Sequence, residues 1–502
     1  MKRIWLLALA LIFTSRLPAA DPVATSGWQI LAAPSFTVVS QLNAADTTAW
    51  AQKFNQFLFA MRRRIAGDPR RLSPLTVVLF SSRGDFWVLA PVRKDGDPTH
   101  GLAAFSRNNA WGSIEASCLQ GSEEDTQRAL FQDGAEWMRT ADRRPIPSAL
   151  KVGIDEVFST YTVEGAKATI GEPPRGRTER LIRALNSPMS VNGRFLTVTE
   201  LLAIKDIDAV EDRHTLDLFF DESWAFAHFL LFSKEMTEAH ATDRLIEAFG
   251  HGQEPLSALR TALGPLADNI DSRFSTYLRG GSFRQATVPL EPGSALTATA
   301  QPAAPAMVAA TLAQLEVGVH PELAESYAAE AVQLAPDDAM SYDALTLALS
   351  VALKSDDAKA ACESAVRLHS RNGWTWYLHA QDRRKAAEEL SPEQARDVVN
   401  DLEKAVKYQP GLESAFAQIA TALATANHVT EDDGKFLMFG RILYPDNGWI
   451  QVGHAQWAYR TEQPRLALQI VDDVLRSPEK LRPDEIKQAQ SLKADWAKYM
   501  PN

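Results

Sequence analysis

Four short blocks in the second half of the chain recur 34, 40 and 35 residues apart: AVQLAP from Ala331, AVRLHS from Ala365, AVKYQP from Ala405 and GRILYP from Gly440. Six residues beyond each block the same early position of a helix is held by Tyr342, Trp376, Phe416 and Gln451, and four further on stand Thr346, Ala380, Ala420 and Ala455. A unit this short cannot bury an apolar face alone and has to stack on its neighbours. Small residues let paired helices approach closely, and the proline that closes three of the four blocks stops a helix. The spacing therefore predicts about five helix pairs from residue 306 onward and a final helix over Lys487 to Tyr499. The extra residues near Lys385 to Ser391 lengthen one helix or loop without breaking the pattern.

A period near 34 resembles the tetratricopeptide (TPR) repeat. The resemblance implies an all-α solenoid over residues 306–502 that binds a protein or peptide. Its aromatic residues, Trp374, Trp376, Trp449 and Trp457 among them, are mostly core by helical position. His379 and His454, at equivalent places in different repeats, are better explained by packing than by chemistry.

The first half mixes strands and helices. Phe36 to Ser40 and Leu75 to Phe80 are short, apolar and β-branched, with an amphipathic stretch from Ala44 to Arg64 between them, which predicts a β-α-β opening. Phe86 to Leu89, Leu102 to Phe105 and Ser113 to Ser117 are further strand candidates. Helical patterns then cover Asp125 to Thr140, Pro147 to Tyr161, Glu179 to Leu185, Leu216 to Ser233, Thr242 to Phe249 and Leu266 to Leu278. The fold class expected is an α+β head followed by the repeats, joined by an Ala/Pro/Thr-rich linker over 281–305.

Within the head, residues 131–158 read FQDGAEWMRTADRRPIPSALKVGIDEVF. This stretch resembles the core of a peptidase-MA-like, gluzincin-type metallopeptidase, with Leu150, Gly153, Glu156 and Phe158 keeping the pattern of the second helix. An active member carries H-E-x-x-H on one helix, two imidazoles at i and i+4 with a glutamate between, and a third ligand on the next helix. In this chain those positions fall on Gln132, Asp133, Glu136 and Val152. No histidine remains, and the valine has no donor atom. Further segments fit the same resemblance: WQIL from Trp28, SFTVVS from Ser35, LTVVLF from Leu75 and FFDESWAFAHFL from Phe219. It implies a metallopeptidase-like head over residues 26–280 with a degenerate zinc motif, no catalytic residues, no metal and no cofactor.

Asp133 and Glu136 share a helical face, and with Glu156 on the next helix a carboxylate cluster could serve acid and base roles. A relocated hydrolase site, peptidase or glycosidase, would add His228, although that histidine lies in the apolar run SWAFAHFLLF and reads as a buried, hydrogen-bonded side chain. Gly134 in mid-helix fits a relaxed site with no ligand geometry to hold. No G-x-S-x-G elbow, phosphate loop, dinucleotide fingerprint or C-x-x-C occurs.

Lys2 and Arg3, an apolar run from Ile4 to Phe13 and the small residues around Ala19 and Ala20 read as a signal peptide over 1–20. The expectation is export, to a bacterial periplasm or beyond, with no integral membrane segment after cleavage. A net charge of −11 argues against nucleic acid as a partner. Basic clusters at Arg62 to Arg64, Arg70 and Arg71, and Arg143 and Arg144 read as solvated helix ends and loops. Two cysteines, Cys118 and Cys362, read as buried thiols. The function expected is non-catalytic binding of protein or peptide by an inactive head and the array. The alternatives are the hydrolase at Asp133, Glu136 and His228, and an envelope scaffold acting through the array alone.

Overall fold

The computed structural model describes residues 23–62, 67–91, 103–109, 111–120, 123–164, 167–174, 176–186, 195–205, 207, 213–281, 283–290, 292–386, 388–477 and 481–498. The proposed signal peptide lies outside them.

The head opens with β1 (Gln29–Ala32), β2 (Thr37–Ser40), α1 (Ala44–Arg62) and β3 (Leu75–Phe80), followed by α2 (Arg83–Leu89), β4 (Ala104–Asn108) and β5 (Ser113–Cys118). Then come α3 (Glu123–Arg139), α4 (Ser148–Ser159), β6 (Thr162–Glu164), β7 (Lys167–Ile170), α5 (Arg177–Asn186), α6 (Val198–Ala203) and α7 (Arg213–Phe232). The head's remaining helices are α8 (Lys234–Glu238), α9 (Ala241–Gly250), α10 (Pro255–Leu263) and α11 (Ile270–Gly280). After β8 (Ala286–Pro289) and β9 (Gln301–Pro302), the repeats begin with α12 (Pro305–Glu316), α13 (Pro321–Leu334), α14 (Ala339–Val351) and α15 (Ser355–Arg367). They continue with α16 (Gly373–Lys385), α17 (Pro392–Tyr408), α18 (Glu413–Thr425), α19 (Glu431–Leu443), α20 (Gly448–Arg460), α21 (Pro464–Leu475) and α22 (Pro483–Ala497).

Six strands form one sheet in the order β4-β5-β3-β2-β1-β9, with β2, β3 and β5 parallel and the rest antiparallel. Successive strand residues point to opposite faces. Val38, Val77 and Leu79 enter a core with Phe54 and Phe57 of α1 and Phe131 of α3. Val39, Val78 and Phe80 enter a second core with Val308, Leu312 and Leu315 of α12 and Tyr327 of α13. Burial on both faces is why LTVVLF is apolar at every position but Thr76. The first repeat helices thus cover one face of the head's sheet, and head and array share a core.

The expected linker is not a free tether. Its residues 286–289 pair with β7 to complete a β6-β7-β8 sheet, and Gln301 and Pro302 pair with β1. Between them one polar face of α1 holds the chain: Gln52 and Asn55 donate to the Ser294 carbonyl, Leu296 N donates to Gln52 and Ala300 N to Thr48. A proline is tolerated in β9 because it lies at the sheet edge. These contacts come from a distant helix, so local composition carried no sign of them.

Phe86 to Leu89, expected as a strand, belongs to α2. Ser82 caps that helix, its hydroxyl accepting from the backbone of Gly84 and Asp85. Short apolar runs are ambiguous between the two states, and here the cap decides. The strand expected at Leu102 to Phe105 lies further along, at Ala104–Asn108, and Leu102 is outside the described residues. Both cysteines are free and buried, as the spacing suggested.

Among the described residues the array is a stack of five helix pairs, α12 to α21, and a final helix. Ala331, Ala365, Ala405 and Gly440, the first residues of the four blocks, are all buried. Gly440 faces the Phe416 ring, and a side chain at Gly453 would come within 2.8 Å of Ala420 Cα, so these residues set the helix spacing. The basic clusters read as solvated are partly used internally. Arg70 lies over the Phe439 ring at 5.2 Å, Arg71 and Arg143 each over Tyr444 at 5.5 Å, and Arg143 pairs with Glu413 at 2.5 Å. The head therefore touches the array again at α18 and α19. No helix among the described residues is long and apolar enough to cross a membrane.

Candidate functional site

Helices α3 and α4 lie side by side, joined by a turn that ends at Pro147, and α4 packs against α7 where Gly153 leaves room for the Ser223 backbone. Gln132 and Glu136, four residues apart on α3, and Val152 on α4 line one cleft of 480 Å³. The positions assigned to three metal ligands are thus brought together. Arg139, Thr140, Asp142, Arg143, Arg144, Ser148, Lys151 and Asp155 supply the rest of its polar lining. No cluster of three His, Cys, Asp or Glu side chains placed to hold a metal ion occurs among the described residues.

Asp133 does not join these three in lining the cleft. It stands near Glu115 of β5, a fully buried carboxylate whose Oε2 accepts no hydrogen bond. Burial first, then the charges of Asp133 and Glu136, holds Glu115 well above the usual carboxylate range. Burial likewise raises Asp133 to about 7, with help from Glu136 and Asp155. Asp155 is also raised to about 7 by burial, against the opposing pull of Arg139, whose Nε donates to it at 3.1 Å and whose Nη2 donates to its other oxygen.

Carboxylates raised this way bind protons more tightly in the folded than in the unfolded chain. Their stabilisation is full below the ordinary carboxylate pKa and is lost as pH rises through about 7. The melting temperature is therefore expected to fall by roughly 5 °C between pH 5.5 and pH 8.5. Asp133→Asn should flatten that slope in circular dichroism melts; an unchanged slope would place the cause elsewhere.

Glu156, expected near Asp133 and Glu136, is committed to a different network. It pairs with Arg177, which also reaches Asp221 at 2.8 Å, while Arg180 grips Asp221 through two bonds of 2.7 Å. Glu222 accepts from the backbone of Leu196. His228 is buried beneath Trp224, Phe232 and Phe283. Its Nε2 faces the Gly171 carbonyl at 2.9 Å, which can only accept, so Nε2 carries the proton and Nδ1 accepts from the Tyr277 hydroxyl at 2.6 Å. Burial lowers its pKa to about 4. Both nitrogens are thus occupied, and His228 is not among the residues that line the cleft with Glu136.

Gly134 also departs from expectation. A side chain there would lie 2.8 Å from the Phe54 ring and 3.3 Å from Phe57, so the glycine makes room for α1. Sequence reasoning missed Glu115, Arg139 and Asp155. Glu115 left one signal, an acid inside an otherwise small and apolar strand, SIEASC; the Arg139 to Asp155 pair joins two helices and leaves none.

No protein-family profile and no curated protein matches the chain. Among solved structures it is similar to YrrB, described as a TPR protein with an unusual peptide-binding site, at 20% identity over 38% of this chain and 92% of that one, with a TM-score of 0.28. It is also similar to yeast Tom70, at 14% identity over 75% of each chain, with a TM-score of 0.19. The assignment of a TPR-like array accordingly rests on the repeat spacing and on the packed helix pairs of this chain.

Proposed function

We propose that the chain is an exported, non-catalytic polypeptide-binding protein, built from an inactive metallopeptidase-like head and a tetratricopeptide-like array. The observation that carries the reading is that Gln132, Glu136 and Val152 line the same cleft. The resemblance requires three ligand positions to face one site, and a valine at one of them removes the donor zinc would need.

The array supplies a binding surface of suitable chemistry. Trp374 stacks on Tyr377 at 4.9 Å; Gln418 donates to the Tyr377 hydroxyl at 2.9 Å and accepts from Arg384 at 3.1 Å and from Gln381. Partly exposed amides beside stacked rings can exchange these bonds for those of an extended peptide backbone. The shared core and the arginine contacts argue against a scaffold that acts through the array alone, because deleting residues 26–280 would bare the apolar faces of α12 and α13.

Fluorescence polarisation with a random peptide library tests the reading. Micromolar binding to the full chain is expected, weakened about tenfold by Tyr377→Ala with Gln418→Ala. Peptide turnover that scales with protein and disappears in Glu136→Gln would overturn it.

A further inference from the structure

The apolar cores divide the molecule at a different place from the junction of head and array. Among the described residues, α12, α13 and α14 share a core with the head's sheet, through Val308, Leu312, Tyr327 and Leu347. A separate core begins at Trp376 of α16 and runs to Ile450 of α20. Between them Leu349 of α14 packs with Ala358 and Ala361 of α15 as a small third core. The joint to α16 is polar. Asp343 of α14, 5% exposed, accepts from Ser370 Oγ at 2.8 Å and from Thr375 Oγ1 at 2.6 Å, and Trp376 Nε1 donates to the Ser370 carbonyl at 2.8 Å. The few residues that end one helix and start the next are where a hinge absorbs changes in backbone angle. A cavity of 520 Å³ opens at this level between Pro74 and Trp111 of the head and the array residues Met340, Asn372 and Tyr408.

Head and later array meet a second time through arginines. Arg70 lies over the Phe439 ring, Arg71 and Arg143 lie over Tyr444, and Arg143 pairs with Glu413. The side chains of Arg143 and Arg70 are 54% and 50% exposed, so water and salt reach these contacts. Exposed cation–π contacts and ion pairs each shift an equilibrium by up to about fivefold. Gly411 completes the seat, since a Cβ there would lie 2.5 Å from the Arg71 carbonyl oxygen. A contact built this way can be released without baring an apolar core, unlike the one that α12 to α14 share with the sheet.

We propose that α16 to α22 swing as one body on the joint at Asp343, Ser370 and Thr375, and that Arg70, Arg71 and Arg143 latch this body to the head. Arg143 also lines the cleft with Gln132 and Glu136, so opening the latch parts it from Glu413 and changes the charge that the cleft presents. The surface around Tyr377 and Gln418 travels with the moving body. The proposal does not depend on what that surface or the cleft binds.

Distances between spin labels in the full chain test the latch and the joint together. Cys118 and Cys362 are buried, so labels are directed to introduced cysteines. One pair, Lys234→Cys with Lys435→Cys, spans the head and the moving body at exposed positions; the other, Lys435→Cys with Lys487→Cys, lies within the moving body. At low salt the spanning pair is expected to give one distance. Sodium chloride at about 0.5 M should add a second population to the spanning pair and leave the internal pair unchanged. Arg143→Glu should do the same, as should Gly411→Ala, which wedges the seat apart without touching a charge. Arg143→Glu combined with Glu413→Arg should return the spanning pair to one distance. A spanning distance that salt and both variants leave unmoved would overturn the latch, as would a charge swap that fails to restore it. Broadening of both pairs would overturn the joint, because the array would then be loosening throughout. The salt measurement keeps every latch side chain native, so it reads out even if a variant misfolds.

Discussion

Gly153→Leu is expected to prevent the head from folding, and Gly153→Ala to lower the melting temperature by roughly 10 °C. A Cβ at this position would lie 2.7 Å from the Ser223 carbonyl carbon, closer still to its oxygen, and 2.9 Å from Ala227 Cβ. Two of the three atoms are backbone, so no rotamer change relieves the clash. Helices α4 and α7 must separate, and α4 also carries Val152, Asp155 and, one turn on from Gly153, Glu156. Overpacking of a close-packed interior costs about 1–3 kcal/mol where side chains can give way, and more where they cannot. Gly134 offers the contrast within the same motif. Its neighbours are the Phe54 and Phe57 rings, which can shift, so Gly134→Ala is expected to be the milder change. Thermal melts of the two alanine variants check the order; equal losses would mean that the α4 to α7 contact is softer than its geometry implies.

The array was the more legible half. Its alanines, glycines and prolines act on helix spacing and helix ends, and those effects repeat at a fixed interval. The head was legible where one element alone decides the outcome, as in α1, β3, α4 and α7. It was obscure where two distant segments meet. Residues 286–302 look like a linker because their partners, β7, β1 and the polar face of α1, lie far away in sequence. The short run FWVL is apolar enough for either state, and only the Ser82 cap makes it helical. At the site, the placement of Gln132, Glu136 and Val152 around one cleft was readable from helical spacing together with a resemblance. The carboxylates beside them were not, because Glu115 reaches the cluster from a strand and Asp155 is held by an arginine sixteen residues earlier in the chain.

The central claim, that the cleft between α3 and α4 is a zinc site whose ligands have been replaced, leads to the second large effect. Gln132→His, Glu136→His and Val152→Glu, made together, would place two imidazoles and a carboxylate around the cleft these residues already line. Three protein ligands and a water satisfy zinc, and metal bound to the folded chain alone also raises its stability. The backbone needs no rearrangement if the three positions converge as the resemblance implies. Equilibrium dialysis with zinc is the most direct test. The account predicts about one tightly bound zinc per chain in the triple variant, markedly weaker binding when any one replacement is omitted, and no stoichiometric zinc in the native sequence. A triple variant that binds no better than the native chain, or a native chain that itself holds one zinc through Glu136, would contradict it.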